Sequence, residues 1–480
     1  MTDLTSDRRV SGRRLAQLLG AWRRPGPAYT ALADALRAAV LSGSVPIGTR
    51  LPSERELATA VDVSRTTTTA CYDVLRVEGY LTSRRGSGTV TTLPGAEAVP
   101  FPRVTATDDE VVDLTIAAPS APSALHPAYL AALDELPRHL AGTGYHPLGL
   151  PVLRQAVADM HTARGAPTSP EQVLVTTGAQ QAISLLVSTL SGPGERVVVE
   201  QPTYPHAIES VRAAGARPVA VPSGDDGLDV ELLESTIRQS APRLVYLIPD
   251  HRNPTGTSLS SDDRSRVRAI ARRHRTTVVA DEALTELTLD GAAPEPFSGD
   301  GTASGHVVAI GSMSKSYWGG LRVGWVRAHP DLVARLATTR ARIDIATPVL
   351  EQLVAAHLLK HDDGTLDRRR AELRARRDAL VGLLRTSLPE WRVPVPAGGL
   401  CVWADLGAPV SSALAALGVR HGVRVAPGPS FGVGGSLEDR LRLPFSRPVD
   451  ELRRAVDALA SAWAVLDPTD TAPAAARMVV

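Results

Sequence analysis

The chain has 480 residues, 43% of them hydrophobic, and a formal net charge of +1. Its length allows two to four domains with substantial cores, while so small a net charge excludes a general polyelectrolyte attraction to nucleic acid. Only two cysteines are present, Cys71 and Cys401, which argues against a disulfide framework. Because no apolar run approaches the roughly 20 residues that span a bilayer, and no signal-peptide pattern opens the chain, we expect a cytoplasmic protein without membrane contact.

The N-terminal part of the chain is basic, since its first 92 residues hold 13 arginines against 8 acidic residues. Residues 1–24 are polar and Arg-rich, and we interpret them as an N-terminal extension. Within 25–92, helically spaced apolar residues predict one helix, and a capping box at Ser53–Glu56 predicts the start of a second. Ser64 can cap a third helix, 65–78, which is followed by a hairpin with a basic tip.

Helix, helix, short turn, helix and basic hairpin is the order of elements in a winged helix-turn-helix. The third helix opens with small polar residues and one arginine, and such side chains reach base edges and phosphates in a major groove. An ordinary three-helix core with solvated arginines is the alternative. The agreement of element order, caps and wing favours binding to double-stranded operator DNA. The candidate DNA contacts are Ser64, Arg65, Thr66, Thr67, Arg84, Arg85 and Ser87.

Residues Tyr29–Thr91 resemble the GntR-type winged-helix family. The resemblance rests on the stretches Gly48–Leu57 and Val63–Thr67 and on the wing. It implies DNA contacts at the third helix and the wing, and it adds Arg55 to the candidates. In this family a basic residue is common where the chain has Thr69, so we expect one phosphate contact to be missing.

The rest of the chain divides into a linker, two domains and a tail. Residues 93–110 contain proline and alanine without periodicity, which is typical of a linker. In 111–343 short apolar runs alternate with amphipathic helices, and this alternation predicts a large α/β domain with a mostly parallel sheet. Residues 344–466 predict a smaller C-terminal α+β domain with Arg-rich helices and a strand at Gly399–Trp403, and 467–480 form a tail.

Lys315 is unusual in this chain. Lysine and arginine together number 52, yet Lys315 and Lys360 are the only lysines. Lysine can lose its proton and attack a carbonyl, whereas arginine keeps its charge. Lys315 also follows an apolar run, Val307–Ile310, that predicts a buried strand. The simpler explanation of Lys315 is a surface cation at a strand end, and the alternative is a reactive amine. The surrounding motifs decide between these two explanations.

Four more polar stretches follow predicted strands, at the edge where open α/β sheets bind ligands. Thr177–Gln181 opens a helix whose N–H groups suit a phosphate, and Gln201–Pro205 places an aromatic residue just past a strand. Pro249–Gly256 is a polar turn, and Asp281 follows the apolar run Val278–Ala280 at the end of a predicted strand. Taken singly, each feature has a simpler explanation. Gly178 is then only a turn residue and Tyr204 a core cap. Asn253 is then an Asx-turn residue and Asp281 a helix N-cap.

Taken together, the same residues supply what pyridoxal 5′-phosphate requires. Lys315 forms the Schiff base, and Asp281 keeps the pyridine nitrogen protonated so that the ring can absorb electrons. Asn253 donates to the phenolate oxygen, and Tyr204 stacks on the ring. The phosphate is assigned to Ser312, Arg322 and the helix start at Gly178, Ala179 and Gln180.

Residues Asp113–Leu466 resemble fold-type I aminotransferases of the aspartate aminotransferase superfamily. The motifs that carry the resemblance are Gly-Ala-x-Gln, Pro-Thr-Tyr, Asn-Pro-Thr-Gly, Asp and Ser-x-Ser-Lys, in that order, with an arginine downstream. The resemblance implies that Tyr145 reaches the phosphate of the partner subunit, and therefore a homodimer. It also implies that Arg442 holds a substrate carboxylate, with Arg440 as its nearest rival.

One position departs from the aminotransferase pattern. These enzymes usually carry a tyrosine two or three residues after the ring aspartate, where this chain has Ala283 and Leu284. Loss of that hydrogen-bond donor weakens the case for efficient transamination.

A GntR-type winged helix joined to an aminotransferase-like domain resembles the MocR subgroup of bacterial regulators. We therefore expect a PLP-dependent transcription factor, without a metal, that binds DNA and senses a small amine, an amino acid or a PLP-related effector. The alternative is a working aminotransferase with an accessory DNA-binding domain.

Overall fold

The structure is a computed structural model of the chain. It describes residues 9–20, 22–24, 26–41, 44–45, 48–84, 88–92, 111–224, 227–299, 305–361 and 363–466. The predicted linker at 93–110 and the predicted tail at 467–480 lie outside the described residues. Within the described ranges, no helix combines the length and the apolar composition that crossing a membrane requires.

The N-terminal domain consists of helices and a two-stranded antiparallel wing. Leu32, Leu57 and Tyr72 are completely buried in its core. Ser53 and Ser64 each accept a hydrogen bond from a backbone N–H in the first turn of a helix, so both predicted helix starts are confirmed. The elements are α1 (Gly12–Leu19), α2 (Ala28–Leu41), α3 (Glu54–Val61), α4 (Arg65–Val77), β1 (Leu81–Arg84) and β2 (Gly88–Thr91).

The expected capping box at the start of α3 forms only in part. Ser53 Oγ accepts from the Glu56 N–H at 3.2 Å, as predicted. Glu56 Oε1, however, accepts from the N–H of Gly12 at 2.9 Å and so ties α3 to the start of α1. Leu15 and Leu19 of α1 are buried in the same core, and their packing places Glu56 beside Gly12 rather than beside its own helix cap.

The second part of the chain alternates strands and helices, as predicted. Its strands are β3 (Val112–Asp113), β4 (Val173–Thr176), β5 (Arg196–Gln201), β6 (Arg217–Gly224), β7 (Gly227–Leu228), β8 (Leu244–Leu247), β9 (Thr277–Asp281), β10 (Val307–Ser312), β11 (Gly324–Arg327), β12 (Cys401–Asp405), β13 (Val423–Arg424), β14 (Ala426–Pro427) and β15 (Arg440–Pro444). Its helices are α5 (Leu125–Glu135), α6 (Pro151–Ala163), α7 (Ala179–Leu190), α8 (Pro205–Ala213), α9 (Val230–Ser240), α10 (Ser261–His274), α11 (Met313–Ser316), α12 (Pro330–Arg340), α13 (Val349–Lys360), α14 (Thr365–Ser387), α15 (Ser411–Arg420) and α16 (Val449–Leu466).

An eight-stranded sheet in the order β4-β11-β10-β9-β8-β5-β6-β7 forms the centre of the large domain. From β10 to β6 adjacent strands run parallel, whereas β11 is antiparallel to both of its neighbours. Apolar clusters pack on the sheet, which explains why β4, β8 and β10 are uninterrupted apolar runs rather than alternating ones. The parallel strands therefore end at one common edge.

The smaller C-terminal domain contains an antiparallel sheet in the order β12-β15-β14. The long helices α14 and α16 pack over its core, where Leu380, Leu384 and Leu459 are completely buried. Strand β3 pairs with β13, so the first residues after the linker join this domain before the chain enters the large sheet. The architecture is the winged helix plus mostly parallel α/β domain plus α+β domain that the sequence predicts.

Candidate functional site

The predicted cofactor residues meet at the carboxyl edge of the large sheet. Strand β4 leads to Gly178, β5 to Tyr204, β9 ends at Asp281, and β10 leads into the short helix with Lys315. Because these strands belong to one sheet, their ends bring together residues that lie up to about 140 positions apart in sequence. Ser312 caps α11, since its Oγ accepts from the Ser314 N–H at 3.2 Å.

Lys315 is half-buried, and its amine has a lowered basicity. Its Nζ donates to the carbonyl oxygen of Ala117 at 2.7 Å. Burial of the amine, and then the positive charge of Arg442, lower the pKa of Lys315 to about 8. A lysine with this pKa holds far more neutral amine near pH 7 than a surface lysine does, and the neutral amine is the form that attacks a carbonyl.

Asp281 is a buried carboxylate held by two hydrogen bonds. Its Oδ2 accepts from the Tyr246 hydroxyl at 2.7 Å and its Oδ1 from the Ala283 N–H at 3.1 Å. Burial raises the pKa of Asp281, while both hydrogen bonds and the charge of Lys315 act to lower it. Among the described residues no arginine or lysine forms an ion pair with this carboxylate. The protonated nitrogen of a pyridine ring fits such a partner.

Tyr246 is a functional residue that was not predicted from the sequence. It lies on β8 opposite Val279 of β9, so its ring shares a sheet face with Asp281 two residues further along. One feature of the sequence could have identified Tyr246. It is the only residue with a hydroxyl group in the otherwise aliphatic strand Leu244–Leu247. Burial raises the pKa of Tyr246 well above its usual range, so the hydroxyl remains a donor.

The loop before α7 and Arg322 form a cradle for an anion. Gly178 has a φ of +86° and offers no side-chain cap, which leaves first-turn N–H groups of α7 available. Arg322 also has a left-handed backbone, with a φ of +52°, and its Nη2 donates to the Thr177 carbonyl at 3.0 Å. A Cβ added at Gly178 would lie 2.8 Å from that Nη2 and would displace the guanidinium, and the positive φ independently favours glycine. The phosphate of the cofactor suits this cradle.

The remaining cofactor candidates lie around the same space, apart from one side chain. Burial raises the pKa of Tyr204 to about 12, with the charge of Asp281 adding to the effect. Asn253 Oδ1 lies 3.5 Å from Arg442 Nη1. The Gln180 amide nitrogen, in contrast, donates to Ser210 Oγ at 3.0 Å, so it contacts α8. His206, which was not among the predicted residues, packs edge-on against Tyr204 at 5.2 Å.

Arg442 and its rival Arg440 occupy different surroundings on β15. Arg442 is 6% exposed, lies over the Phe431 ring at 4.9 Å and donates to the Thr115 carbonyl. Its Nε is buried without a hydrogen-bond partner among the described residues. Arg440 pairs instead with Asp405 at 3.5 Å. Of the two, only Arg442 lies close enough to Lys315 to lower its pKa.

Tyr145, the residue assigned to the partner subunit's phosphate, is largely exposed in the single chain. It precedes α6 and is 65% exposed. Leu140, in the same segment, is 69% exposed.

The predicted recognition helix is exposed at its N-terminal end. Arg55, Ser64, Arg65 and Thr66 are exposed, and Thr67 is half-buried with its Oγ1 2.8 Å from Ser64 Oγ. Thr69, where a basic residue is common in GntR domains, donates to Glu54 Oε2 at 2.8 Å and so faces its own domain. Of the predicted wing contacts, Arg85 and Ser87 lie outside the described residues, as does the side chain of Arg84.

A lysine with a lowered pKa, a carboxylate suited to a pyridine nitrogen and a phosphate cradle define a fold-type I pyridoxal-phosphate protein, here joined to a winged helix. Residues 110–459 match the family profile "Aminotransferase class I and II", and residues 28–90 match "Bacterial regulatory proteins, gntR family". The chain belongs to the class I and II aminotransferase family. With its GntR domain it is a MocR-type transcriptional regulator, and its cofactor is pyridoxal 5′-phosphate.

Two of the similar proteins are transcriptional regulators, and a third is an aminotransferase of known structure. The probable rhizopine catabolism regulatory protein MocR of Rhizobium meliloti is 32% identical over 76% of this chain and 78% of its own length. The uncharacterized HTH-type transcriptional regulator YisV of Bacillus subtilis is 28% identical over 88% of this chain and 92% of its own. The solved structure of LysN, an alpha-aminoadipate aminotransferase from Thermus thermophilus, is 30% identical with a TM-score of 0.69, over 75% of this chain and 93% of that one.

Proposed function

We propose that the chain acts as a homodimer that binds operator DNA with its winged helices and binds an amino-acid-like effector beside its cofactor. One observation carries the proposal. A single chain combines a predicted recognition helix whose N-terminal end is exposed with a half-buried lysine site that lacks the tyrosine typical of aminotransferases. Such a site suits ligand recognition better than rapid turnover.

The proposed cofactor contacts follow from the geometry of the site. Bound pyridoxal 5′-phosphate supplies a carbonyl group and an electron-withdrawing ring. Lys315 provides the neutral amine that attaches it, and Asp281 keeps a proton on the ring nitrogen. Tyr246 positions Asp281 through its hydroxyl. Arg322, together with the N–H groups at the start of α7, holds the phosphate, and Asn253 faces the ring oxygen.

Arg442 is proposed to recognise the effector's carboxylate. Its guanidinium is fixed from two sides, by the Phe431 ring and by the Thr115 carbonyl, so it is preorganised for a planar anion. Its buried Nε, which has no partner among the described residues, is a donor that a carboxylate would satisfy. The charge of Arg442 also lowers the pKa of Lys315, and neutralising it with a carboxylate links effector binding to the lysine.

Leu284 occupies a place where aminotransferases often present a tyrosine to the ring oxygen. Its side chain is buried in the core of the small domain and offers no donor. Asn253 is then the donor on that side of the ring. We therefore expect this site to bind and exchange an amine readily and to complete the later proton transfers slowly.

The proposed dimer explains an exposed apolar surface. Leu130 and Leu133 of α5 are 52% and 48% exposed, and α5 packs on α13. Ile343, in the loop before α13, is 59% exposed. A second copy of the chain would cover these side chains and would place the exposed Tyr145 at the neighbouring phosphate cradle.

The decisive experiment measures operator affinity with and without an effector. The operator is first isolated as the genomic fragment that the purified protein retains, and candidate amines are screened for a shift in the cofactor's visible absorbance. We expect the bound effector to change operator affinity, and coupling between two such sites typically amounts to about 5- to 150-fold. If wild-type affinity does not respond to such an effector, or if Lys315→Ala responds equally, effector binding at Lys315 does not control operator binding.

A working aminotransferase is the second candidate, and one observation favours it. Lys315, Asp281 and Arg322 are all present, and the 2-aminoadipate transaminase of Thermus thermophilus is 34% identical over 58% of this chain and 71% of its own length. Sustained conversion of an amino acid and a keto acid over many turnovers would support this candidate, whereas a single partial turnover would support the regulator.

A further inference from the structure

A second cavity of about 510 Å³ lies against the face of α11 that carries Met313 and Ser316. Its walls also come from α6, β11 and the turn after β9. Lys315, Asp281 and Arg442 do not line it, and Ser312 is the one predicted cofactor residue that does. The Lys315 amine reaches away to the Ala117 carbonyl. This cavity is therefore separate from the cofactor site, although both adjoin the same short helix.

The cavity has a buried floor and an exposed rim. His161, Met313 and Trp325 line it and are 2%, 1% and 5% exposed. Asp159 and Ala163, which also line it, are exposed to solvent. A small molecule can therefore enter from the rim and reach an enclosed, largely apolar floor.

His161 presents a hydrogen-bond donor without a partner in the described part of the chain. Its Nε2 lies 3.1 Å from Trp325 Nε1, and an indole nitrogen can only donate, so His161 Nε2 is the acceptor. Burial lowers the pKa of His161 to about 3, and nearby Arg327 and Arg164 act in the same direction. The ring is thus neutral and carries its proton on Nδ1, a buried atom with no hydrogen-bond partner among the described residues.

Two charged residues of the wall also have unsatisfied atoms. Arg164 Nη2 and Glu282 Oε2 are buried and have no hydrogen-bond partner within the ranges that the structure describes. Arg164 Nη1 lies 3.9 Å from Glu282 Oε2 and 3.6 Å from Glu286 Oε1, distances too long for good hydrogen bonds. Leaving such groups unsatisfied is costly, so a polar partner is expected in the space between them.

We propose that this cavity is a second, non-covalent ligand site that takes a zwitterionic amino acid with an apolar side chain. The ligand's carboxylate accepts from His161 Nδ1 and Arg164 Nη2. Its ammonium group donates to Glu282 Oε2. Its side chain packs against Met313 and Trp325. The site does not depend on the chemistry of Lys315, so it goes beyond the function proposed above.

The test must keep the amino acid from reacting at the cofactor. Borohydride reduction of the holoprotein fixes the cofactor on Lys315 and blocks that route. Isothermal titration of the reduced protein with L-phenylalanine and with L-leucine is expected to show one bound equivalent. 3-Phenylpropionate lacks the ammonium group and 2-phenylethylamine lacks the carboxylate, so each is expected to bind at least about tenfold more weakly than L-phenylalanine.

A pair of variants assigns the binding to this cavity. Arg164→Met keeps most of the side chain's length and removes the donors, and it should weaken L-phenylalanine binding at least about tenfold. Arg138→Met is the control, because Arg138 is 75% exposed and pairs locally with Glu135. Unchanged melting temperature and cofactor absorbance would show that both variants fold.

Three results would overturn the proposal. Absence of binding by both amino acids would mean that the cavity holds only water. Equal affinity for 3-phenylpropionate would remove the role of Glu282 and with it the zwitterion. Full affinity in Arg164→Met would place the binding elsewhere. None of these outcomes bears on operator binding or on effector attachment at Lys315, which are measured with unreduced protein.

Discussion

Tyr246→Phe should weaken the hold of the protein on its cofactor by acting through Asp281. The substitution removes one hydroxyl and leaves the ring, so the packing between β8 and β9 is kept. The lost hydrogen bond runs to Asp281 Oδ2 at 2.7 Å in a fully buried setting. A hydrogen bond to a charged group contributes about 1.5–3 kcal/mol, which corresponds to about 10- to 150-fold in cofactor affinity at a pH where Asp281 is ionised in the cofactor-free wild type but protonated in the cofactor-free variant.

The pH dependence of cofactor affinity gives the sharper readout. Burial already raises the pKa of Asp281, and the Tyr246 hydroxyl is one of the contacts that lower it. Without the hydroxyl the pKa rises further, by about 1–2 units for 1.5–3 kcal/mol. Because the cofactor's ring nitrogen requires the ionised carboxylate, affinity is lost as the pH falls through this pKa. In Tyr246→Phe the loss should therefore begin at a higher pH than in wild type.

Equilibrium dialysis of pyridoxal 5′-phosphate against the cofactor-free protein, across a pH series, measures both effects. Tyr317→Phe is a matched control, since Tyr317 is also buried near Lys315 but its hydroxyl contacts the Leu358 carbonyl, at 3.4 Å. The control should keep the wild-type profile. A Tyr246→Phe protein with wild-type affinity and an unshifted profile would refute the proposed role of Tyr246 in positioning Asp281.

Four further predictions concern Lys315, its neighbour Arg442 and the recognition helix. Lys315→Ala should eliminate the cofactor label that borohydride fixes to wild-type protein, and peptide mapping that found the label on Lys360 would contradict the assignment. The rate at which cofactor-free protein couples to pyridoxal 5′-phosphate should level off above about pH 8, where Lys315 loses its proton. Arg442→Ala removes a positive neighbour, so the pKa of Lys315 and the pH of that plateau should rise; a stopped-flow pH series with no such shift would argue against this contact. Arg65→Ala should cost about 1–3 kcal/mol in operator binding and relax selectivity at one base pair, as measured by fluorescence anisotropy, and unchanged affinity and selectivity would mean that α4 is not the recognition helix.

The order of elements and the chemistry of the cofactor site can be predicted from the amino-acid sequence. Ser53 and Ser64 are caps that act within one turn, so local sequence is enough to place the starts of α3 and α4. The apolar runs Leu244–Ile248 and Val278–Ala280 predict buried parallel strands, and parallel strands necessarily end at one edge. That rule is sufficient to bring Asp281 into the neighbourhood of Lys315.

Contacts that depend on register follow only from the folded chain. Arg440 and Arg442 are two residues apart on β15, so their side chains lie on the same face of the strand. The alternation of side chains therefore cannot predict which of the two reaches the site. Pairing with β12 places Arg440 opposite Asp405 and Arg442 opposite Trp403, and this pairing sends only Arg442 to the site. Tyr246 is likewise set beside Asp281 by the register of β8 against β9. Glu56 shows the same limit, because the N–H that it accepts from lies 44 residues away, at Gly12, where packing of α1 brings it.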